Sequence, residues 1–246
     1  MGRVVARRRL DQLLVERGLF ETRTKAQAAI MAGKVRVPGC PRPKAGQPVS
    51  EDTPVEVLPD ACPYVSRGGL KLAAALGAFR VEVRGRIALD VGASTGGFTD
   101  CLLRAGAACV HAVDVGHGQL DATLRADPRV RVREGTHARD LAPEALAPRP
   151  DLAVIDVSFI SLTKVLPPIL ACLPRPREVI ALIKPQFELD AKKTPKGIVR
   201  KPEHREEALA KVRAAARELG LRELGLIESP ITGAKGNVEF LWHLRD

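Results

Sequence analysis

The sequence lacks paired cysteine motifs and long apolar runs. Its five cysteines include no Cys-x-x-Cys pair and are odd in number, so neither a disulfide framework nor a zinc site is expected. No apolar segment follows the basic N-terminus, and no apolar run approaches the roughly 18 residues that a membrane span requires. Secretion and membrane insertion are therefore not expected, and the predicted location is a reducing cytoplasm.

The sequence also has fewer acidic than basic residues. The 246 residues carry 39 Lys and Arg against 29 Asp and Glu, a formal net charge of +10, and 45% of them are hydrophobic, enough for a folded core. Residues 1–44 hold eleven Lys and Arg but only three acidic residues. Such a surplus attracts polyanions, so nucleic acid is the first partner to consider.

The basic N-terminal part has the pattern of a small α+β domain. An apolar helical face from Leu10 to Leu14 ends at Gly18, and a second one through residues 26–30 ends at Gly33. Valines then recur between turn residues, as in a small sheet of short strands. Two short helices and a small sheet are therefore predicted.

The stretch RLDQLLVERGLFETRTKAQAAIMAGKVRV resembles the αL RNA-binding domain that occurs in a ribosomal small-subunit protein, tyrosyl-tRNA synthetases and many pseudouridine synthases. The match covers about the first 60 residues, and the basic face of the two helices binds structured RNA in that family. The alternative is a solvated face that only keeps the chain soluble. The resemblance implies RNA contacts from five cations: Arg7, Arg9, Arg23, Lys25 and Lys34.

Strands and helices alternate in the rest of the chain, which predicts a doubly wound, mainly parallel α/β sheet with helices on both faces. The last two predicted strands, LRELGLIES and GNVEFLWHL, are close enough in sequence to pair antiparallel. The predicted organisation is an RNA-binding domain over residues 1–60, a linker over 61–66 and an enzyme domain over 67–246.

A glycine-rich turn follows the first strand of the predicted sheet. RIALDV runs directly into GASTGG, so Gly92, Gly96 and Gly97 lie where the backbone approaches a ligand closely. The spacing differs from the dinucleotide motif Gly-x-Gly-x-x-Gly, which makes a nicotinamide cofactor the alternative. The pattern resembles the first motif of S-adenosylmethionine-dependent methyltransferases. That resemblance implies that Asp114, 22 positions after Gly92, binds the ribose hydroxyls of the donor.

Four ionisable residues stand where a doubly wound topology converges on the carboxyl edge of its sheet. They are Lys71, Asp156, Lys184 and Glu239. Each alone is more often a solvated residue, but two of each sign at one edge favour a site. The order Lys-Asp-Lys-Glu resembles the tetrad of the FtsJ-type ribose 2′-O-methyltransferases.

The phrases YVSRGGLKL, DVGASTGGFTD, DVGHGQL, DVSFISL, LIKPQFE and GNVEFLW, taken with the N-terminal domain, resemble the TlyA, or haemolysin A, family. The resemblance implies a Rossmann-like methyltransferase domain that methylates the ribose 2′-hydroxyl of cytidine in ribosomal RNA, with assembled ribosomal subunits as a possible form of that substrate. It assigns catalysis to the four residues above. It assigns the donor, S-adenosylmethionine, to Gly92, Ser94, Thr95, Gly96, Gly97 and Asp114. One departure is His137, where relatives commonly have asparagine.

Chemistry alone indicates what such a site must do. A ribose hydroxyl is a poor nucleophile, so the protein has to align oxygen, methyl and sulfur and ease removal of the proton. We expect Lys184, flanked by Asp156 and Glu239, beside the hydroxyl; whether it takes the proton or stabilises the alkoxide is open. Phe159 is expected either to stack on the target base or to belong to the core. Two other functions remain as alternatives, a nicotinamide-dependent oxidoreductase and a membrane-lytic haemolysin.

Overall fold

A computed structural model describes residues 7–20, 22–31, 33–41, 43–57 and 62–246. The chain divides into two compact units between Pro63 and Tyr64. Positions 1–6, 21, 32, 42 and 58–60 of the predicted first domain, and position 61 of the predicted linker, lie outside the described residues. The domain boundaries given above stay predictions.

The first unit has a small apolar core under two helices. Its described elements are β1 (Arg7–Arg9), α1 (Leu10–Glu16), α2 (Arg23–Met31), β2 (Val35–Arg36), β3 (Pro48–Ser50) and β4 (Glu56–Val57). Strand β1 pairs antiparallel with β3, and β2 pairs antiparallel with β4, so the described strands form two separate two-stranded sheets. Leu10 and Leu14 of α1 are fully buried against Ile30 and Val35, as their helical spacing predicts.

The second unit contains a seven-stranded sheet. Its strands are β5 (Ile87–Val91), β6 (Cys109–Val113), β7 (Val130–Arg133), β8 (Leu152–Ile155), β9 (Glu178–Ile183), β10 (Arg222–Glu228) and β11 (Phe240–Arg245). Its helices are α3 (Gly68–Phe79), α4 (Gly97–Arg104), α5 (Ala122–Ala126), α6 (Leu162–Cys172), α7 (Pro185–Glu188) and α8 (Pro202–Glu218). The predicted strands and helices of this unit are therefore present, with ends shifted by a few residues.

The strand order is β10-β11-β9-β8-β5-β6-β7. Strands β5 to β9 are parallel, whereas β11 is antiparallel to both β9 and β10. The chain winds outward from β5 in one direction through β6 and β7 and then in the other through β8 and β9. A crevice opens where the winding reverses, at the carboxyl ends of β5 and β8, and this is where open α/β sheets bind ligands.

Apolar residues cover both faces of this sheet. Leu89 and Ile155 point to one face and pack against α6 and α8, while Ala88 and Leu152 point to the other and pack against α3 and α4. A parallel strand that is buried on both faces has a continuous apolar sequence instead of an alternating one. The sequences LAVI of β8 and EVIALI of β9 show this pattern. The sheet is thus a rigid base for the loops at its carboxyl edge.

Two features differ from the sequence-based expectation. Glu239 was expected inside a strand, but β11 begins only at Phe240, because a turn closed by the hydrogen bond from Gly233 N to Asn237 O (2.8 Å) precedes it. The short helix α7, directly after β9, was not predicted. Within the described ranges, every helix falls short of the length and apolar character that crossing a bilayer requires.

Candidate active site

The loop after β5 lies directly against the end of β8. Gly92 has a φ of 88°, and its N–H donates to the carbonyl of Val113 at 2.8 Å. A Cβ atom at this position would overlap the carbonyl oxygen of Asp156. Only glycine fits so close an approach of two backbones, so the loop can lie flat across the crevice.

Asp114 follows β6 and holds this loop in place. One carboxylate oxygen accepts from the backbone N–H of Ser94 at 2.8 Å, and the other accepts from that of Gly116 at 2.7 Å. Ser94 has a φ of 49°, which is uncommon for a residue with a side chain. Asp114 therefore fixes the loop conformation, and each of its oxygens keeps a second lone pair for a ligand.

A cavity of about 1060 Å³ lies along this loop, large enough for a nucleoside-sized ligand. Gly92, Ser94, Asp114 and His137 line it. Of the other residues assigned to the donor, Thr95 and Gly97 line a neighbouring cavity. Gly96, which lies between these two residues in the sequence, is buried. We call the larger cavity the donor cavity.

The neighbouring cavity, of about 470 Å³, contains the predicted tetrad, and we call it the catalytic cavity. Lys71, Asp156, Lys184 and Glu239 all line it, although they come from α3, the end of β8, the end of β9 and the residue before β11. Gly92 and Asp156 belong to both cavities. A group bound in one cavity is therefore adjacent to a group bound in the other.

The tetrad forms two ion pairs. Lys71 Nζ lies 2.5 Å from Glu239 Oε2, and Lys184 Nζ lies 2.6 Å from Asp156 Oδ1. The Lys184 side chain is 11% exposed and that of Glu239 only 2%. The expectation that Glu239 flanks Lys184 is wrong at the level of direct contact, because Glu239 pairs with Lys71. Buried charges of opposite sign are paired in this way because an unpaired one is costly.

Two residues that sequence reasoning missed position these pairs. Lys184 Nζ also donates to Ser158 Oγ at 2.9 Å, which orients the ammonium group. A Cβ atom at Gly233 would overlap the Glu239 carboxylate, so a side chain at this position would displace that carboxylate from its place beside Lys71. Ser158 lies within the quoted phrase DVSFISL, two positions after Asp156, so the motif contained its signal. Gly233 had none.

Phe159 lies at the rim of the catalytic cavity. Its side chain is 91% exposed and its φ is 64°, a strained value for an aromatic residue. Its ring centroid lies 5.0 Å from that of Phe187, whose ring is 5.9 Å from Lys184 Nζ. The expectation that Phe159 belongs to the core is wrong. An exposed, strained aromatic ring at the rim of a cavity is suited to stacking on a planar group.

Asp90 is a fully buried carboxyl group behind the loop. Thr99 Oγ1 donates to its Oδ2 at 2.6 Å, and within the described residues its Oδ1 has no hydrogen-bond partner. Burial raises the pKa of Asp90 to about 7, and the negative charges of Asp156 and Asp114 add to that rise. The sequence indicated only that a charged residue ends β5.

In the first unit, the cations expected to contact RNA are exposed. Arg9 and Arg23 reach down to the buried carboxylate of Asp11, with N···O distances of 2.9 and 3.2 Å, while about half of each side chain stays exposed. Arg7, Lys25 and Lys34 of the predicted set are exposed or half-buried. Their role in RNA binding stays a prediction.

Comparison with known proteins shows the family to which this chain belongs. Residues 64–246 match the family of FtsJ-like methyltransferases, and residues 8–55 match the S4 domain. A Mycobacterium tuberculosis (strain CDC 1551 / Oshkosh) protein, named 16S/23S rRNA (cytidine-2'-O)-methyltransferase TlyA, is 49% identical over 239 residues, which are 96% of this chain and 89% of that protein. The chain belongs to the TlyA family of FtsJ-like methyltransferases.

Other relatives agree with this membership. Hemolysin A of Brachyspira hyodysenteriae is 43% identical over 237 residues, 96% of this chain and 98% of that protein. A solved structure of a hemolysin-type protein from Streptococcus thermophilus is 43% identical and superposes with a TM-score of 0.78, over 99% of this chain and 90% of that one. The resemblance to the TlyA family, the α/β methyltransferase fold and the N-terminal αL-type domain are confirmed, and neither alternative function is favoured.

Proposed function

We propose that this TlyA-family protein transfers a methyl group from S-adenosylmethionine to the ribose 2′-hydroxyl of a cytidine in ribosomal RNA. The observation that carries the proposal is the junction of the two cavities: the Lys-Asp-Lys-Glu tetrad lines one, and the glycine loop with Asp114 lines the other. A protein with 49% identity is named for this reaction. A ribosomal RNA substrate also implies a cytoplasmic enzyme.

The residues of the donor cavity fit S-adenosylmethionine. The close approach at Gly92 leaves room above the loop, and the free lone pairs of Asp114 suit two vicinal ribose hydroxyls. His137 lines the same cavity and supplies a ring nitrogen as donor or acceptor. The bound sulfonium supplies an activated methyl group, so the protein contributes mainly alignment.

Within the catalytic cavity, Lys184 is the group that faces the attacking hydroxyl. Asp156 and Ser158 hold its ammonium group from two sides, which fixes its direction. Lys71 and Glu239 form the opposite wall, where the pair can hold the ribose without adding net charge. The exposed Phe159 ring stacks on the target base, and Arg7, Arg9, Arg23, Lys25 and Lys34 bind RNA phosphates through the S4 domain.

Mapping 2′-O-methyl positions in ribosomal RNA from cells with and without this protein tests the proposal. We expect a cytidine methylation that depends on the unaltered gene and is not restored by Lys184→Ala. Identical maps from both cell types would contradict the proposal. Retention of a nicotinamide cofactor with no affinity for S-adenosylmethionine would instead favour the oxidoreductase.

The substitution Lys184→Arg separates the two roles open to Lys184. Arginine keeps the positive charge but does not give up its proton at accessible pH. Activity retained in this variant shows that positive charge beside the oxygen is sufficient. Activity lost to the level of Lys184→Ala, with donor affinity intact, shows that positive charge alone is not sufficient; it favours a lysine that first releases one proton to solvent and then accepts that of the hydroxyl.

A further inference from the structure

The methyltransferase domain carries a second basic surface that the sequence motifs do not include. It consists of two loops, residues 190–201 after α7 and residues 230–237 before Glu239, and we call it the basic double loop. The two segments contain one acidic residue, Asp190. They contain six cations: Lys192, Lys193, Lys196, Arg200, Lys201 and Lys235.

A buried amide joins the two loops into one surface. Asn237 is buried; its Oδ1 accepts from Val199 N at 2.9 Å, and its Nδ2 donates to Gly197 O at 2.8 Å. Lys235 Nζ adds a third link, to the carbonyl of Lys196 at 2.8 Å. Lysines from two distant parts of the sequence are therefore held side by side.

The backbone of both loops is strained where these lysines lie. Lys196 and Lys235 have φ values of 57° and 58°, and each precedes a glycine that also has a positive φ. Residues with side chains adopt this conformation rarely, and it persists where the surrounding structure holds it in place, often at binding sites. Both lysines are exposed in this conformation.

Most of the charge on this surface is not neutralised. Lys193 is paired with Glu207 at 2.5 Å, and Lys201 has Glu203 at 3.9 Å. Within the described part of the chain, the remaining four cations form no ion pair. These four are Lys192, Lys196, Arg200 and Lys235. A concentration of unpaired cations favours a polyanionic ligand.

The basic double loop is continuous with the catalytic cavity. Residues 231–233 line that cavity, and Gly233 packs against the carboxylate of Glu239. The first loop follows Lys184 through α7, and the second ends at Asn237, two positions before Glu239. Residues 231–233 of the second loop thus belong to the lining of a cavity of about 470 Å³, so phosphates next to a nucleotide bound there come within reach of the double loop.

We infer that the basic double loop binds the phosphates of the RNA strand that flanks the target nucleotide. The inference rests on the proposed function, since it takes the target to be RNA. An anionic membrane would carry the same charge, but membrane-binding surfaces also insert large apolar side chains. Among the described residues, none of the exposed large apolar side chains belongs to the double loop. The methyltransferase domain thus has its own RNA-binding surface, next to the catalytic cavity.

The test removes three charges from this surface and three from a control surface of the full-length protein. The test variant is K192Q/K196Q/K235Q. The control is R84Q/R222Q/R245Q, whose exposed arginines lie at the opposite edge of the sheet, near the starts of β5 and β10 and at the end of β11. Each variant is titrated with unmodified transcripts of small- and large-subunit ribosomal RNA over a range of salt, and with S-adenosylmethionine as a check of folding.

We expect the test variant to bind RNA more weakly, while its donor affinity stays unchanged. Its log–log salt slope should be flatter by about 2–3, because three phosphates are no longer neutralised. The control variant should change the slope by less than about 1. Equal losses in both variants, or no loss in the test variant, would overturn the inference. So would a test variant that loses binding to phosphatidylglycerol vesicles while binding RNA normally.

The same series separates this inference from the proposed function. Methyl transfer by the unaltered protein is measured in parallel, both to the transcripts and to the RNA of assembled ribosomal subunits. If the unaltered protein transfers methyl groups and the test variant binds RNA normally, the inference that the basic double loop binds RNA is wrong and the proposed function stands. If the unaltered protein binds RNA through these lysines but transfers no methyl group to any ribosomal RNA, the proposed function is wrong instead.

Discussion

Each unit contains a fully buried aspartate, and the two are held in opposite ways. Asp11 in the first unit is 0% exposed, and its carboxylate accepts from Arg9, Arg23 and Gln27. These donors, Arg9 first, hold the pKa of Asp11 well below its usual range. Asp90 in the second unit has one side-chain donor, Thr99, and burial raises its pKa to about 7.

The difference shows what sets the state of a buried carboxyl group. Burial alone favours the neutral form, and only charged or hydrogen-bonding donors reverse that. In the S4 domain the buried anion holds arginines at a surface where they remain half exposed. In the methyltransferase domain the charges are paired inside a cavity. The Asp11 cluster thus presents positive charge at the surface, whereas the tetrad keeps its charges inside a cavity.

The strongest test of this comparison is removal of the cavity lysine. Lys184→Ala should lower turnover by roughly two to four orders of magnitude, as loss of a positioned acid–base or electrostatic group does. Affinities for S-adenosylmethionine and RNA should change little, because Lys184 is mostly buried. Arg222→Ala, an exposed cation at the far edge of the sheet, is the control. If Lys184→Ala had normal turnover but weak RNA binding, the contrast between the cavity charges and the surface charges would be wrong.

Removing the S4 domain should have the opposite effect. A fragment of residues 64–246 contains the whole sheet and both cavities, so we expect it to fold and to bind the donor normally. Its RNA affinity should fall. Its salt slope should flatten by about 0.7–0.9 for each phosphate that is no longer neutralised, or by about 4 for the five predicted cations. Filter binding at several salt concentrations measures both.

The fragment should also lose methyl transfer to ribosomal RNA at working RNA concentrations. Efficient methylation of the same nucleotide, with an unchanged salt slope, would show that the cations of the S4 domain form only a solvated face. The three-site glutamine variant of the full chain, at Arg7, Lys25 and Lys34, separates loss of charge from loss of the domain, because it keeps Arg9 and Arg23, which hold the buried Asp11.

An intermediate effect is expected at Asp114, whose carboxylate holds the loop and is proposed to bind the donor. Asp114→Ala should weaken S-adenosylmethionine binding by about 1.5–3 kcal/mol, or roughly ten- to a hundredfold, as loss of a charged hydrogen-bond acceptor does. Calorimetric titration measures the affinity. Asp114→Asn is the matched variant, because it keeps an acceptor of the same size. An unchanged affinity in the alanine variant would remove Asp114 from the donor site.

Much of this site could be predicted from sequence because simple rules govern it. Strand-end residues such as Asp156 and Lys184 meet because parallel strands present their carboxyl ends at one edge. The glycine loop was recognisable because only glycine permits a close backbone approach. Lys71 and Glu239 were expected at the same edge and do line the same cavity, although Lys71 lies on α3 and Glu239 just before β11 rather than at the end of a parallel strand.

The pairing inside the site could not be predicted. Glu239 pairs with Lys71 rather than Lys184 because a tight turn ahead of β11 and the missing side chain of Gly233 direct its carboxylate there. Such contacts depend on the geometry of a loop rather than on periodicity. The same holds for Asn237 and for Asp11: apart from Arg9, which lies two positions from Asp11, their side-chain hydrogen-bond partners named above lie 12 to 40 positions away in the sequence.

The smallest expected effect is the pH dependence of stability, which compares the two buried aspartates directly. Between about pH 4 and 7 folded Asp90 keeps its proton while the unfolded chain releases it, so Asp90 makes the methyltransferase domain less stable as pH rises through this window. Asp11 acts in the opposite direction: its contribution is present above about pH 4 and is lost as pH falls below that.

Asp90→Asn should therefore remove part of the loss of stability between pH 5 and 8, because the amide has no proton to release. For a domain of this size, about 2–4 °C in Tm corresponds to each kcal/mol, so the Tm difference between pH 5 and 8 should shrink by a few degrees. Scanning calorimetry measures it. Glu188→Gln is the matched control, since burial also raises the pKa of Glu188. If Asp90→Asn leaves the pH dependence of Tm unchanged and Glu188→Gln weakens it, the carboxyl group responsible is Glu188 rather than Asp90. The comparison with Asp11 would then apply to Glu188.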